Sequence, residues 1–272
     1  IRTREEETMT DIMKQLSDSI QKHVRPQSFP LAIRMVKHGE PLPERVKRPF
    51  KDLGFKSAIC QSIAIARRYG WAMALGHDDI SCPLAKSAFG FEPLVEHFTG
   101  GCCCEGMYTE TAAAGAKTEA ELPKFSFKQY EYFVASPIER ANFEPHVILV
   151  YGNSAQVMRM MAASLWKSGG YLHSRFSSRL DCADICIETM LTQKPQVVLP
   201  CYGDRLFAQT QDDEMAYAFP AAHAAELIAG LEGTHKGGIR YPIPTFLRFT
   251  AEFPEKYREL EDYWSEGKSK NG

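Results

Sequence analysis

Met9, Ile12, Met13, Leu16 and Ile20 recur at spacings of three and four among charged neighbours, which predicts an amphipathic helix over residues 3–24. Its apolar stripe calls for a docking surface, on the rest of the chain or on a partner subunit. The alternating run at 31–36 predicts a strand, and the Pro-rich stretch 40–49 an extended connector. Ile59, Ile63 and Ile65, with alanines between, predict a buried helix over 57–69, closing on Arg67 and Arg68, cations that suit a helix C-terminus. Further strands are expected at 71–75, 130–135, 147–151, 171–176, 197–199 and 215–219. Further helices are expected at 155–167, 182–191, 221–232 and 252–264. The segment 76–106 has two short helical pieces and many turn residues.

Strand 147–151 runs through Gly152-Asn153-Ser154 into a helix that stops at Gly169-Gly170, a strand–turn–helix unit with a capping residue at one end and glycine at the other. Alternation of this kind favours an α/β or α+β fold, built as a single mixed-sheet domain with flanking helices. The organisation expected is a helical arm over 1–28, one cysteine-rich domain over 29–250, and a C-terminal helix and tail over 251–272. No internal repeat or low-complexity tract interrupts it.

At 272 residues the chain can bury a large core, and a net charge of −2 gives no basic field for nucleic acid or an anionic membrane. The expected ligand is a small molecule or a redox partner protein, with residues 3–24 available for a homo-oligomer or complex contact. The opening residues lack a signal peptide's apolar core, and no stretch reaches the roughly 18 apolar residues of a membrane span. A cytoplasmic address is expected, with a processed leader ahead of Ile1 still open.

Cysteine placement changes the picture. Cys102, Cys103 and Cys104 are consecutive, between Gly100-Gly101 and Glu105-Gly106, and Cys60, Cys82, Cys182, Cys186 and Cys201 are dispersed. Eight cysteines are too few for a disulfide scaffold in a chain of this size, so reduced thiols are expected. Most fall at predicted element ends or in loops, where a backbone can gather thiolates, and a helix N-terminus stabilises a thiolate. No Cys-x-x-Cys occurs, which leaves zinc ribbons and bacterial ferredoxin loops unsupported. Dispersion favours an iron–sulfur cluster over structural zinc. Cys182 and Cys186, four apart on a helix, can share a site or simply form a core stripe.

His77-Asp78-Asp79 precedes Cys82, and Asp204 and Asp212 follow Cys201. His77, Asp204 and Asp212 are therefore candidate proton carriers, although caps and solvated turns share the same composition. The segment 234–241 is basic and glycine-hinged and could hold a small anion, but it departs from a phosphate loop. Cys82 with His77 is the local pair a cysteine nucleophile would need.

Cys60-Gln61, the run Asp78-Asp79-Ile80-Ser81-Cys82-Pro83, and Phe143-Glu144-Pro145-His146-Val147 with Gly152-Asn153-Ser154-Ala155-Gln156-Val157-Met158-Arg159 are distinctive. So are Ser168-Gly169-Gly170, Cys182-Ala183-Asp184, Pro200-Cys201-Tyr202-Gly203-Asp204-Arg205, Gln211-Asp212-Asp213-Glu214-Met215 and Lys236-Gly237-Gly238-Ile239-Arg240-Tyr241-Pro242. Over about residues 50–245 these resemble the domain of unknown function 169 family of bacteria and archaea, many of them anaerobes. The resemblance implies that Cys60, Cys82, Cys182 and Cys201 occupy the family's cysteine positions, the number a four-iron cluster needs. The triplet and Cys186 depart from the family pattern, and a larger or second cluster is the corresponding expectation.

The leading expectation is an iron–sulfur redox protein, holding a 4Fe–4S or larger cluster on these cysteines and passing electrons to, or reducing, a small substrate in an anaerobic cytoplasm. Its rivals are a non-catalytic small-ligand or metal-binding subunit of a larger redox complex, and a metal-free thiol enzyme.

Overall fold

The computed structural model describes residues 4–243, 253 and 255–269. Residues 1–3 of the expected arm, the side chain of Met9, residues 244–250 at the end of the expected domain, and residues 251, 252, 254 and 270–272 of the expected C-terminal helix and tail lie outside the described residues. Six described strands, β1 (Leu31–Val36), β2 (Met73–Leu75), β3 (Tyr132–Pro137), β4 (Val147–Gly152), β5 (Gln196–Val198) and β6 (Met215–Pro220), form one sheet in the order β2-β3-β1-β4-β6-β5. Neighbouring strands pair antiparallel throughout, the α+β form of the expected class.

The helices in chain order are α1 (Arg4–His23), α2 (Pro49–Leu53), α3 (Ile59–Tyr69), α4 (Pro83–Ala88), α5 (Glu96–Thr99), α6 (Ala112–Glu121), α7 (Ser154–Ser164), α8 (Asp181–Ala183), α9 (Thr189–Thr192), α10 (Tyr202–Ala208), α11 (Ala224–Lys236) and α12 (Glu255–Ser269). A π-turn, Asp184–Glu188, joins α8 to α9 in one continuous run. No described helix is long and apolar enough to cross a membrane.

Helices cover both faces of the sheet, which is why its strands read as nearly unbroken apolar runs. Alternation decides which residue serves which face. Val147, Leu149 and Tyr151 of β4 and Ala216 and Ala218 of β6 join Ile59, Ile63, Phe89, Cys182 and Ile185 in one core. Ile148, Val150, Tyr217 and Phe219 join Leu16, Ile20, Val157, Met160, Leu227 and Leu231 in the other. The arm's stripe is thus taken up within the chain: Leu16, Ile20 and Val24 are wholly buried, and α1 packs on α11. Gln156 fixes the join, its Nε2 donating to Val24 O at 3.1 Å and Arg25 O at 2.7 Å. Its Oε1 accepts from Asn153 N at 2.9 Å, while Asn153 Oδ1 caps α7 by accepting from Gln156 N at 3.0 Å.

One expected strand is absent. Residues 171–176 run as irregular chain along β5, the sheet's last strand, and touch it through a side chain: Ser174 Oγ accepts from Val197 N at 2.8 Å. With that N–H engaged by a hydroxyl, aromatic and β-prone residues alone do not make a ladder.

Candidate functional site

Chain pairing at Ser57 creates the site's first half. Ser57 N donates to Asp79 O at 2.8 Å and Ser81 N to Ser57 O at 3.0 Å, a parallel bridge that sets Cys60, three residues on, beside Cys82. Asp79 anchors the bridge from within: wholly buried, it accepts from Arg48 Nε and Nη2 at 2.9 and 2.7 Å, from Phe50 N at 3.1 Å and from Gly76 N at 2.9 Å. Cys60 then occupies the first turn of α3, held by Gln61 Oε1 accepting from Ala58 N at 2.9 Å, and Cys82 is the N-cap residue of α4.

The second half comes from the far side of the sheet order. Cys182 lies in the first turn of the α8 run and Cys201 is the N-cap residue of α10. Packing of α10 on α3 and of α4 on α8 closes the four together. Cys60, Cys82 and Cys201 all lie near enough for their charge to raise the Cys182 thiol, a smaller effect than its burial and the Asp181 carboxyl. Burial, then Asp204 and Asp181, pushes the Cys60 thiol well up, and burial followed by Asp181 pushes Cys201 up to about 12. Cys182 and Cys201 are buried, whereas Cys60 and Cys82 are half-buried, so the group reaches the surface on their side.

Two carboxyls back these thiols. Cys201 Sγ donates to Asp181 Oδ1 at 3.2 Å, and Tyr151 OH donates to Asp204 Oδ2 at 3.1 Å. Asp181 and Asp204 are 2 % and 1 % exposed and face each other, with no donor reaching Asp181 Oδ2 among the described residues. Burial raises both carboxyls, and for Asp181 the charge of Asp204 comes next; two such groups share a proton rather than ionise together. Arg67 supplies the nearby cation. Its guanidinium stacks on the Tyr151 ring at 4.1 Å, pairs with Glu214 at 2.5 Å and donates to Thr210 Oγ1 at 3.2 Å.

The consecutive cysteines fan out in three directions. Cys102 is exposed, Cys103 half-buried and Cys104 wholly buried. Cys104 Sγ donates to Glu119 Oε1 at 3.2 Å and accepts from Arg179 Nε at 3.1 Å, while Arg179 Nη2 donates to Glu119 Oε1 at 2.9 Å. Tyr108 links this buried knot to the four-cysteine group: its ring lies 4.9 Å from the Arg179 guanidinium, and burial first and Cys201 next raise its hydroxyl. Cys186 is a core residue: its thiol is raised by burial alone, and its sulfur neighbour is Met190 Sδ at 4.0 Å.

Of the acid and histidine candidates, Asp204 alone lies in the group. His77 is exposed, with its ring nitrogens engaged by Asp78 at 2.9 Å and Glu92 at 2.6 Å, not by Cys82. Asp212 is fully exposed, 3.8 Å from Arg205. Asp181, Tyr151, Tyr108 and Arg67 went unsingled in the sequence as site residues, though Asp181 stands directly before Cys182. Among the described residues, no three His, Cys, Asp or Glu side chains are gathered closely enough to hold a single metal ion.

Fold and site together define a helix-covered antiparallel α+β protein with four cysteines and a buried carboxyl pair between the sheet and one helical layer. The chain belongs to the domain of unknown function 169 family, described as "Uncharacterised ArCR", whose match spans residues 19–230. That match starts earlier than the resemblance carried by the sequence motifs, taking in the last turn of α1, and ends at residue 230, before the run Lys236–Pro242. An uncharacterized protein of Methanocaldococcus jannaschii is 25 % identical over 208 residues, covering 74 % of this chain and 86 % of the relative. No solved structure matches the chain.

Proposed function

We propose that the chain is an iron–sulfur redox protein whose ligands are Cys60, Cys82, Cys182 and Cys201, passing electrons to a partner or reducing a small substrate. The observation that carries this reading is the convergence of four thiols from four helix starts into mutual electrostatic reach. A donor set of four sulfurs suits soft iron chemistry. A polynuclear cluster also spreads its ligands farther apart than one tetrahedral ion does, in keeping with thiols that are close but not at single-ion spacing. Burial disfavours these thiolates, and a cationic centre would reverse that.

When bound, such a cluster supplies one-electron transfer. The chain's own groups do the rest. Asp181 accepts the Cys201 proton, the Asp181–Asp204 pair stores a proton beside the sulfurs, and Tyr151 orients Asp204. Half-buried Cys60 and Cys82 leave a short path to solvent for an electron or a small substrate. Anaerobic purification followed by iron and sulfide analysis tests the reading: about four of each per chain are expected for one four-iron cluster, and less than about one iron in folded protein overturns it.

A second reading, a non-catalytic metal- or ligand-binding subunit of a larger redox complex, draws on α10. Tyr202, Leu206 and Phe207 directly after Cys201 are each more than half exposed, an apolar face suited to a protein partner. Turnover of a substrate by the isolated chain would exclude it.

A further inference from the structure

On the side of the α8 run away from the first turn, a cavity of about 500 Å³ opens between residues 117–123, residues 174–177 and the π-turn. Both ends of that turn are acids that line it, Asp184 and Glu188, at 4 % and 5 % exposure. Glu188 has a counter-ion, Arg175 at 3.7 Å, which is also paired with Glu121. Asp184 makes no ion pair among the described residues, Arg175 acting on it only from farther off, and its Oδ2 is buried without a hydrogen-bond partner among them. A buried carboxyl lacking a donor costs on the order of 1–3 kcal/mol, and π-turns recur at functional sites. Asp184 lines the cavity, so a donor held there can reach its carboxyl.

The walls narrow the chemistry. Two acids are too few for a dedicated metal site, and no third ligand stands by them among the described residues. Leu122, Pro123 and Phe176 give apolar surface, and Lys117 lines the cavity with no ion pair among the described residues. We propose that this cavity binds a small zwitterion, an amino-acid-like molecule whose ammonium group meets Asp184 and Glu188 and whose acid group meets Lys117. An ammonium carries three donors, enough to serve the Asp184 and Glu188 carboxyls at once. The assignment is independent of what the four cysteines hold.

Calorimetric titration of the full chain with L-norvaline, n-butylamine and pentanoate tests it, since the last two are norvaline without its acid and without its amine. Saturable binding of norvaline, with n-butylamine at least about tenfold weaker and pentanoate silent, is expected for a buried amine-to-carboxylate contact. Asp184→Asn and Glu188→Gln each lower norvaline affinity by about tenfold or more. The exposed Lys117→Ala, which has no core role to confuse folding, weakens norvaline and leaves n-butylamine unchanged. Absence of norvaline binding at about 10 mM, where Kd above that means less than about 3 kcal/mol, overturns the site. Equal norvaline binding by wild type and both acid variants overturns the residue assignment, and n-butylamine binding as tightly as norvaline overturns the zwitterion.

Discussion

Cys201 gives its thiol hydrogen to Asp181 at 3.2 Å, so the N-cap of α10 is tied to the first residue of the α8 run by a bond a hydroxyl can reproduce. Cys201→Ser therefore keeps the fold, within about 1 kcal/mol of wild type by denaturant titration, while losing the soft ligand. Iron content in that variant is expected to fall below half of wild type, as in the serine variants of Cys60, Cys82 and Cys182. Cys186→Ala and Cys102→Ser are expected to retain full iron. Iron loss in the Cys186 variant without loss of fold would contradict the four-ligand assignment.

Among the described residues Arg179 is the one cation bonded to the buried Glu119 carboxylate, and it holds Cys104 as well. Arg179→Ala strands a carboxylate with Glu119 Oε2 already lacking a partner, and destabilisation of about 3–5 kcal/mol is expected. Cys104→Ala removes a weaker donor and should cost less than half of that. Urea midpoints at constant m-value measure both.

Gly101, just before the triplet, has φ +82°, and a Cβ there would meet Ala112 O at 2.2 Å and Ala116 N at 2.1 Å, backbone atoms of α6. Gly101→Ala combines a left-handed conformation with a clash that no side-chain rotation relieves, so a loss of about 2–4 kcal/mol is expected. Gly106, with φ +70° and open space around it, pays only the conformational part, about 1 kcal/mol. Thermal melts of the two alanine variants should rank in that order.

Burial, with the Glu188 charge next, raises Asp184 from 3.8 to about 7. A folded pKa above the unfolded one means that the stability tied to its proton is complete below pH 3.8 and is lost as pH rises to about 7, at up to about 1.4 kcal/mol per unit. Asp184→Asn removes this dependence. In metal-free protein the variant's stability relative to wild type should therefore climb between pH 4 and 7 and level off above. A gap that does not change with pH would refute the assignment.

Periodicity carried the reading of α1 and of the central strands, because both sheet faces and the arm are buried and every inward position had to be apolar. Short elements were less legible. Helix α6 is Ala rich with little apolar stripe, and α10 exposes Leu206 and Phe207, so neither announces a core face. Four of eight cysteines form the group, and the motifs around Cys60, Cys82, Cys182 and Cys201 pointed to those four. Cys186 looked equivalent to Cys182 by spacing, yet the π-turn and the core packing between them give it only apolar surroundings. The role of Asp181 was invisible for a different reason: an aspartate at a helix start ordinarily caps, and only the fold brings Cys201 and Asp204 to it.

Because the four thiols belong to four separate helix starts spread from residue 60 to residue 201, anything that binds them all acts as a crosslink over half the chain. A four-point tie removes conformational freedom from the unfolded ensemble much as a set of disulfides would, and most for its longest loop, between Cys82 and Cys182. Occupancy is then also a mechanical state. Slowed amide exchange on loading should appear together in the first turns of α3, α4 and α10 and of the α8 run, beyond the protection that their packing already gives.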